Sequence, residues 1–151
     1  MAILGADIEN PIHDPEVEAC LLHPLAKLSS LTMIWDCCHA GNMFSLNWQV
    51  DETGMLRPAI QTRTSDQSIS GHVLSIGACL EDQEACEVMV RSSGMRHGAL
   101  TYLLNQQFRD YPDGFSLCAF LHGVKNNPLL GPDQDIVVTC TDVVHRPWFY
   151  P

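Results

Sequence analysis

Positive charge is scarce in this chain: 8 Lys and Arg stand against 18 Asp and Glu in 151 residues, a formal net charge of -10. Nucleic-acid binding usually starts from a basic face that neutralises phosphates, so nucleic acid is not an expected partner and a cationic ligand is electrostatically easier than an anionic one. Long hydrophobic runs are missing as well. No stretch of about 18 apolar residues occurs to span a membrane, and no charged-then-apolar leader precedes a small-residue cleavage site. The expected setting is therefore cytoplasmic, with no membrane partner. C-x-x-C pairs are absent, and the cysteines number 7, an odd set. That fits reduced thiols better than a disulfide framework, and most of them are expected in the core. Internal repeats and low-complexity segments are absent too.

What remains is a chain able to fold. Hydrophobic residues make up 46% and charged residues 17%, enough apolar surface to offset ordering entropy. The length suits one domain with a single core. Met1 to Ile12 shows no sustained period and reads as a loop. Asp14, Pro15 and Glu16 make a helix opening: an N-cap acceptor, a proline where no amide donor is needed, then an acid near the positive dipole end. Val17, Leu21 and Leu22 continue an apolar face until Pro24 ends it near His23. Leu31 to Trp35 is an almost continuous apolar run, the pattern of a central parallel strand buried on both faces. Polar residues with Gly54 and Pro58 predict a long, irregular, weakly ordered excursion between Asn42 and Ser70.

Further along, His72 to Cys79 predicts a second buried strand and Leu80 to Glu87 an acidic loop. Helical spacing brings Leu100, Leu103, Leu104 and Phe108 onto one face within Gly98 to Phe108. The same spacing brings Phe115, Leu117, Cys118 and Leu121 together within Asp113 to Val124. Ile136 to Cys140 is β-branched and predicts a third strand. Strands interleaved with helices imply an α/β layer fold, in which chemistry collects at the carboxyl ends of parallel strands.

The segment LTMIWDCCHAGN, Leu31 to Asn42, runs the first predicted strand into an acid, two cysteines and a histidine. A strand-end cysteine becomes a nucleophile when it is partly exposed and an imidazole or backbone donors favour its thiolate; more often it is an ordinary core thiol. Cys37 and Cys38 both qualify. Adjacent side chains point in different directions, so only one of them can enter a given pocket, and the residues alone do not choose. A zinc site from Cys37, Cys38, His39 and Cys79 would lack a second ligand cluster at zinc-like spacing, so no metal is expected there.

DCCHAG, Asp36 to Gly41, resembles the D-x-C-H-S-G nucleophile box of metacaspases and related caspase-fold cysteine peptidases, with Ala40 where the family usually has serine. Three more blocks keep the family's order. IHDPEVEACLLHPLAKLSS resembles the helix and turn ahead of the nucleophile strand, GHVLSIGACLEDQEACE the following strand and acidic segment, and GALTYLLNQQF a later helix. The resemblance implies a caspase-like three-layer sandwich with a mostly parallel central sheet lacking its first strands. The domain would be a partial peptidase domain over residues 1–151, recognisable across 12–142. It further implies a cysteine-type endopeptidase acting on a protein or peptide with a basic residue. Cys38 would be the nucleophile and its backbone amide an oxyanion donor; Asp36 would help form the pocket for Arg or Lys; Asp82, with Gln83, would lie beside the substrate cleft.

Some features depart from the family pattern. Its general-base histidine lies about fifty residues before the nucleophile, and only 37 residues precede Cys38. The resemblance thus implies that the base is absent from this chain and that the base would come from a complementary chain or a second copy. His39 sits where the family has a non-catalytic histidine, His72 enters a strand, and His13, His23, His97, His122 and His145 read as solvated or core residues. Calcium in this family needs several carboxylates. Asp14 matches one, while Pro15 and Ser45 stand at two others, so no calcium or other cofactor is expected and Asp14 reads as a helix cap. The absent strands would leave an unpaired sheet edge. The missing base also favours a second reading, a non-catalytic caspase-like regulatory or interaction module.

Overall fold

The computed structural model of the chain describes residues 2–3, 12–44, 46–59, 69–91, 94–125, 127–142 and 148–149. Short strands β1 (Ala2–Ile3) and β2 (Ile12–His13) pair antiparallel and lead into helix α1 (Asp14–Val17), which continues as a π-helical turn over Glu18–Leu22. Next come β3 (Ser30–Trp35), a 3-10 turn (Ala40–Asn42), strands β4 (Trp48–Val50) and β5 (Leu56–Pro58), and β6 (His72–Gly77). The hairpin of β7 (Glu87–Val90) and β8 (Met95–Gly98) runs into α2 (Ala99–Asp110). Strand β9 (Phe115–Ser116), α3 (Leu117–Lys125), β10 (Val137–Cys140) and β11 (Trp148–Phe149) follow.

The α/β class is as expected. A five-stranded sheet in the order β3-β6-β10-β4-β5 forms the middle layer. Alternation along β6 sends Leu74 and Ile76 to one face, where they pack with Leu100, Leu103 and Leu104 of α2 and Phe120, Leu121 and Val124 of α3. Val73 turns to the other face and meets Met33, Val17, Leu22, Met43, Phe44 and Leu46. Helical segments therefore cover both faces. Phe108, Phe115, Phe120 and Phe149 stack at one end of the first cluster, with centroids 4.9 to 6.4 Å apart.

The sheet is mixed, which corrects the expectation of a mostly parallel one: β3 and β6 are parallel, whereas β6–β10, β10–β4 and β4–β5 are antiparallel. The antiparallel half includes strands 48–50 and 56–58, inside the segment expected to be an irregular excursion. A short turn suffices to join antiparallel neighbours. Asp51 makes that turn, its Oδ1 accepting from Thr53 N–H (3.0 Å), Thr53 Oγ1–H (2.6 Å) and Met55 N–H (3.0 Å). Residues 60–68 of the excursion lie outside the described residues.

Strand β3 is also not central. Among the described residues it pairs with β6 alone, and Met33 is buried while Thr32 and Ile34 are exposed, the alternation of an edge strand with one covered face. In α1 the N-cap is His13, not Asp14. Its N–H reaches Glu16 Oε2 (2.8 Å), and Asp14 is fully buried in the first helical position. Past Val17 the helix widens, with His23 N–H bonded to the Glu18 carbonyl five residues back. That wider turn aligns Val17 with Leu22 instead of Leu21, so Leu22 is buried and Leu21 exposed. Helix α3 begins at Leu117 and not Asp113, because Phe115 and Ser116 pair with β11 and Ser116 Oγ then accepts the Ala119 N–H (3.2 Å) as a cap. Cys118 faces outward, contrary to its expected inward position. All seven cysteines are free; only Cys79 and Cys140 are buried, Cys86 is half-buried, and Cys20, Cys37, Cys38 and Cys118 are exposed, so most are not core residues. Among the described residues no helix is long and apolar enough to cross a membrane.

Candidate functional site

Because β3 and β6 are parallel and in register to Trp35 opposite Gly77, both release their chains at the same end of the sheet. The first becomes the turn Asp36 to Gly41, the second the loop Ala78 to Cys86. Ala78 N–H bonds to the Trp35 carbonyl (2.9 Å), carrying the pairing one step past the strands. Gly41 brings the turn against this loop: a Cβ there would stand 2.8 Å from both the Cys79 carbonyl oxygen and Leu80 Cα, so the approach requires glycine. His39 adopts a left-handed backbone, φ 61°, which reverses the chain directly after Cys38.

That reversal brings His39 onto the facing loop. Its N–H donates to the Gln83 carbonyl (3.1 Å), and its Nδ1–H donates to the Glu81 carbonyl (2.7 Å), so both groups fasten the turn to the loop. Cys38 is exposed, and its Sγ accepts the Ala85 N–H (3.4 Å). Cys37 differs. Although exposed by area, it is hemmed by protein; desolvation pushes its thiol above the ordinary value, and Cys79, Cys38 and Asp36 add to the push. Cys79 is buried, with its thiol directed to the carbonyls of Cys37 (3.5 Å) and Gln83 (3.3 Å). Of the two candidate nucleophiles, Cys38 is the one whose sulfur accepts a backbone N–H.

Asp36 points to the other helical layer. Its Oδ2 accepts the Thr101 N–H (2.8 Å) in the first turn of α2, where the helix dipole favours a carboxylate. Gly98, the N-cap of that helix, leaves the room: a Cβ on it would collide with the Asp36 carboxylate. Asp36 Oδ1 is buried and has no hydrogen-bond partner among the described residues. Asp82 is exposed on the loop and takes part in no described hydrogen bond or ion pair. Cys38, Asp36 and the loop bearing Asp82 thus come to one end of the sheet. Sequence reading missed Thr101 and Ala85, which contact the first two through backbone amides that carry no residue-type signal, and Gly98, whose missing side chain makes room for Asp36.

The other described imidazoles are elsewhere. His72 opens β6, roughly 16 Å of strand from the site end, and its Nδ1 pairs with Asp142 Oδ2 (2.7 Å). His97 lines a cleft with Met95, Tyr102 and Arg109, His13 and His23 flank the first helix, His122 is exposed on α3, and His145 lies outside the described residues. None of the described imidazoles bonds to Cys38 Sγ. Among the described residues no group of three or more His, Cys, Asp or Glu side chains gathers to hold a metal; Ser45, one of the positions weighed for calcium, lies outside them. No protein-family model matches the chain, and no curated protein matches it.

Proposed function

We propose that this chain is a metacaspase-like cysteine endopeptidase domain of caspase-like sandwich fold that cleaves after Arg or Lys with Cys38 as nucleophile. One observation carries the reading. An exposed cysteine with a backbone N–H on its sulfur sits two residues from a carboxylate oxygen that is buried and without a hydrogen-bond partner among the described residues. Such an oxygen is costly to leave without a partner, and a guanidinium or ammonium group supplies one. The Cys38 thiolate attacks the scissile carbonyl, the Cys38 amide steadies the oxyanion, the amine leaves with a proton, and water releases the acyl-enzyme. Asp36 binds the basic side chain, and Asp82 adds negative charge at the rim. Every group in this scheme is a protein group, so no cofactor enters it. The base is an imidazole that the described residues do not bring to Cys38, supplied from elsewhere in the chain, from a complementary chain or from a second copy, and the setting is cytoplasmic.

The described imidazoles that do not reach Cys38 favour a second reading, a non-catalytic caspase-like interaction module. Hydrolysis of fluorogenic Arg- and Lys-terminated peptides separates the two. The peptidase reading expects turnover that Cys38→Ala abolishes and Cys37→Ala largely spares. Turnover that survives Cys38→Ala overturns Cys38 as the nucleophile, and none at all from a folded sample favours the module.

A further inference from the structure

The loop that touches Cys38 is itself held from behind by two glutamine side chains. Gln83 Oε1 accepts the N–H groups of Leu80 (2.9 Å) and Asp135 (2.9 Å), and its Nε2 donates to Asp135 Oδ2 (3.0 Å). Gln134 is 7% exposed. Its Oε1 accepts the Cys86 N–H (2.9 Å) and its Nε2 donates to the Ala78 carbonyl (2.8 Å). The Cys86 carbonyl is taken by the Ala99 N–H (2.9 Å) at the start of α2. The peptide after Ala85 is therefore fixed at its N–H by Gln134, and the next carbonyl is fixed by α2. On the opposite side the same loop offers the Ala85 N–H to Cys38 Sγ (3.4 Å) and the Gln83 and Glu81 carbonyls to His39. A buried primary amide with both ends satisfied holds a loop in one place.

From this network we infer that Gln83 and Gln134 are positioning residues for Cys38, tying the loop 78–86 to the segment ahead of β10 so that the Ala85 N–H stays on the sulfur. The inference takes from the preceding reading only that Cys38 is the reactive thiol; it does not require peptide cleavage. Neither glutamine touches the sulfur, and each acts through the Ala85 amide. The titratable groups about the turn are Asp36, Cys37 and His39 on it, Cys79, Glu81, Asp82 and Glu84 on the facing loop, and Asp135 behind; the substitutions leave all of them in place.

The test is the pH profile of iodoacetamide alkylation at each cysteine, followed by mass spectrometry of the purified chain, with exposed Cys20 and Cys118 as internal references. In Gln134→Ala and Gln83→Ala the Cys38 rate near neutral pH falls by about three- to tenfold, approaching the loss of one hydrogen bond to a charged sulfur. Its profile moves to higher pH while those of Cys20 and Cys118 stay put. Gln83→Glu, which keeps the Oε1 acceptor but sets a carboxylate against Asp135 Oδ2, recovers none of the rate. A Cys38 profile that superimposes on the unsubstituted chain's in a folded variant overturns the inference. If Gln134→Ala does not fold, the half-buried Gln83 pair decides alone. A Cys38 that in the unsubstituted chain reacts no more readily than Cys20 would instead remove the premise about the reactive thiol, and the inference with it.

Discussion

Asp36 divides its carboxylate between two tasks. Oδ2 takes the Thr101 N–H at the start of α2, and the buried Oδ1 has no described partner. The first task is structural and needs only an acceptor; the second, in the proposed function, needs the charge. Asn retains the acceptor and loses the charge, whereas Ala loses both. Asp36→Ala is therefore expected to cost about 1–2 kcal/mol, the size of a lost helix cap, and Asp36→Asn much less. In urea titrations, an Asn variant as unstable as the Ala variant would show that the charge itself holds the helix. The acid two positions before the cysteine was visible in the sequence. Its bond to Thr101 was not, because a backbone amide 65 residues away has no signature of its own.

Among the elements, the β4–β5 hairpin depends on one side chain. Asp51 Oδ1 gathers three donors and Oδ2 pairs with Arg57 (3.1 Å). The Thr53 hydroxyl first, with the Met55 and Thr53 amides and Arg57, holds its carboxyl below the ordinary value against an opposing desolvation second only to that hydroxyl. A depressed folded value means that the ionised form stabilises fully above the unfolded carboxylate value near 3.9 and that this contribution is lost as pH falls through the folded value. The stability gap between the unsubstituted chain and Asp51→Asn is expected to shrink as pH drops from about 6 to about 3; a gap constant with pH would contradict this. The group is exposed, so the effect is screened and modest. Periodicity found β3, β6, α2 and β10 with nearly their bounds, since each has a covered face. It missed the hairpin, whose three-residue strands are too short to show a period. The clue there was local: an Asp two residues before a Thr, and Gly54 at φ 79°, are turn chemistry.

At the scale of the whole molecule, two apolar clusters on opposite faces of one sheet leave β3 at the margin, with Ile34 39% exposed and β6 its one described partner. Apolar content in a strand reports how much it wants to be covered. Which strand lies beside it is decided by distant segments, so the edge position and the antiparallel half of the sheet could not be read from β3's own residues. The convergence of Asp36, Cys38 and the 78–86 loop was foreseeable from the strand-end rule, because β3 and β6 are parallel. The residues alone did not separate Cys38 from Cys37, and the family resemblance chose Cys38; the fold adds a physical difference, since one sulfur meets an amide and burial raises the other. The central claim is tested most directly by exposing the purified chain to a peptidyl chloromethyl ketone ending in arginine and mapping the adduct by mass spectrometry. The account predicts modification at Cys38 that is sharply reduced in Asp36→Asn and for an uncharged analogue of the reagent. An adduct on Cys37, or equal labelling of every exposed thiol regardless of Asp36, would contradict it.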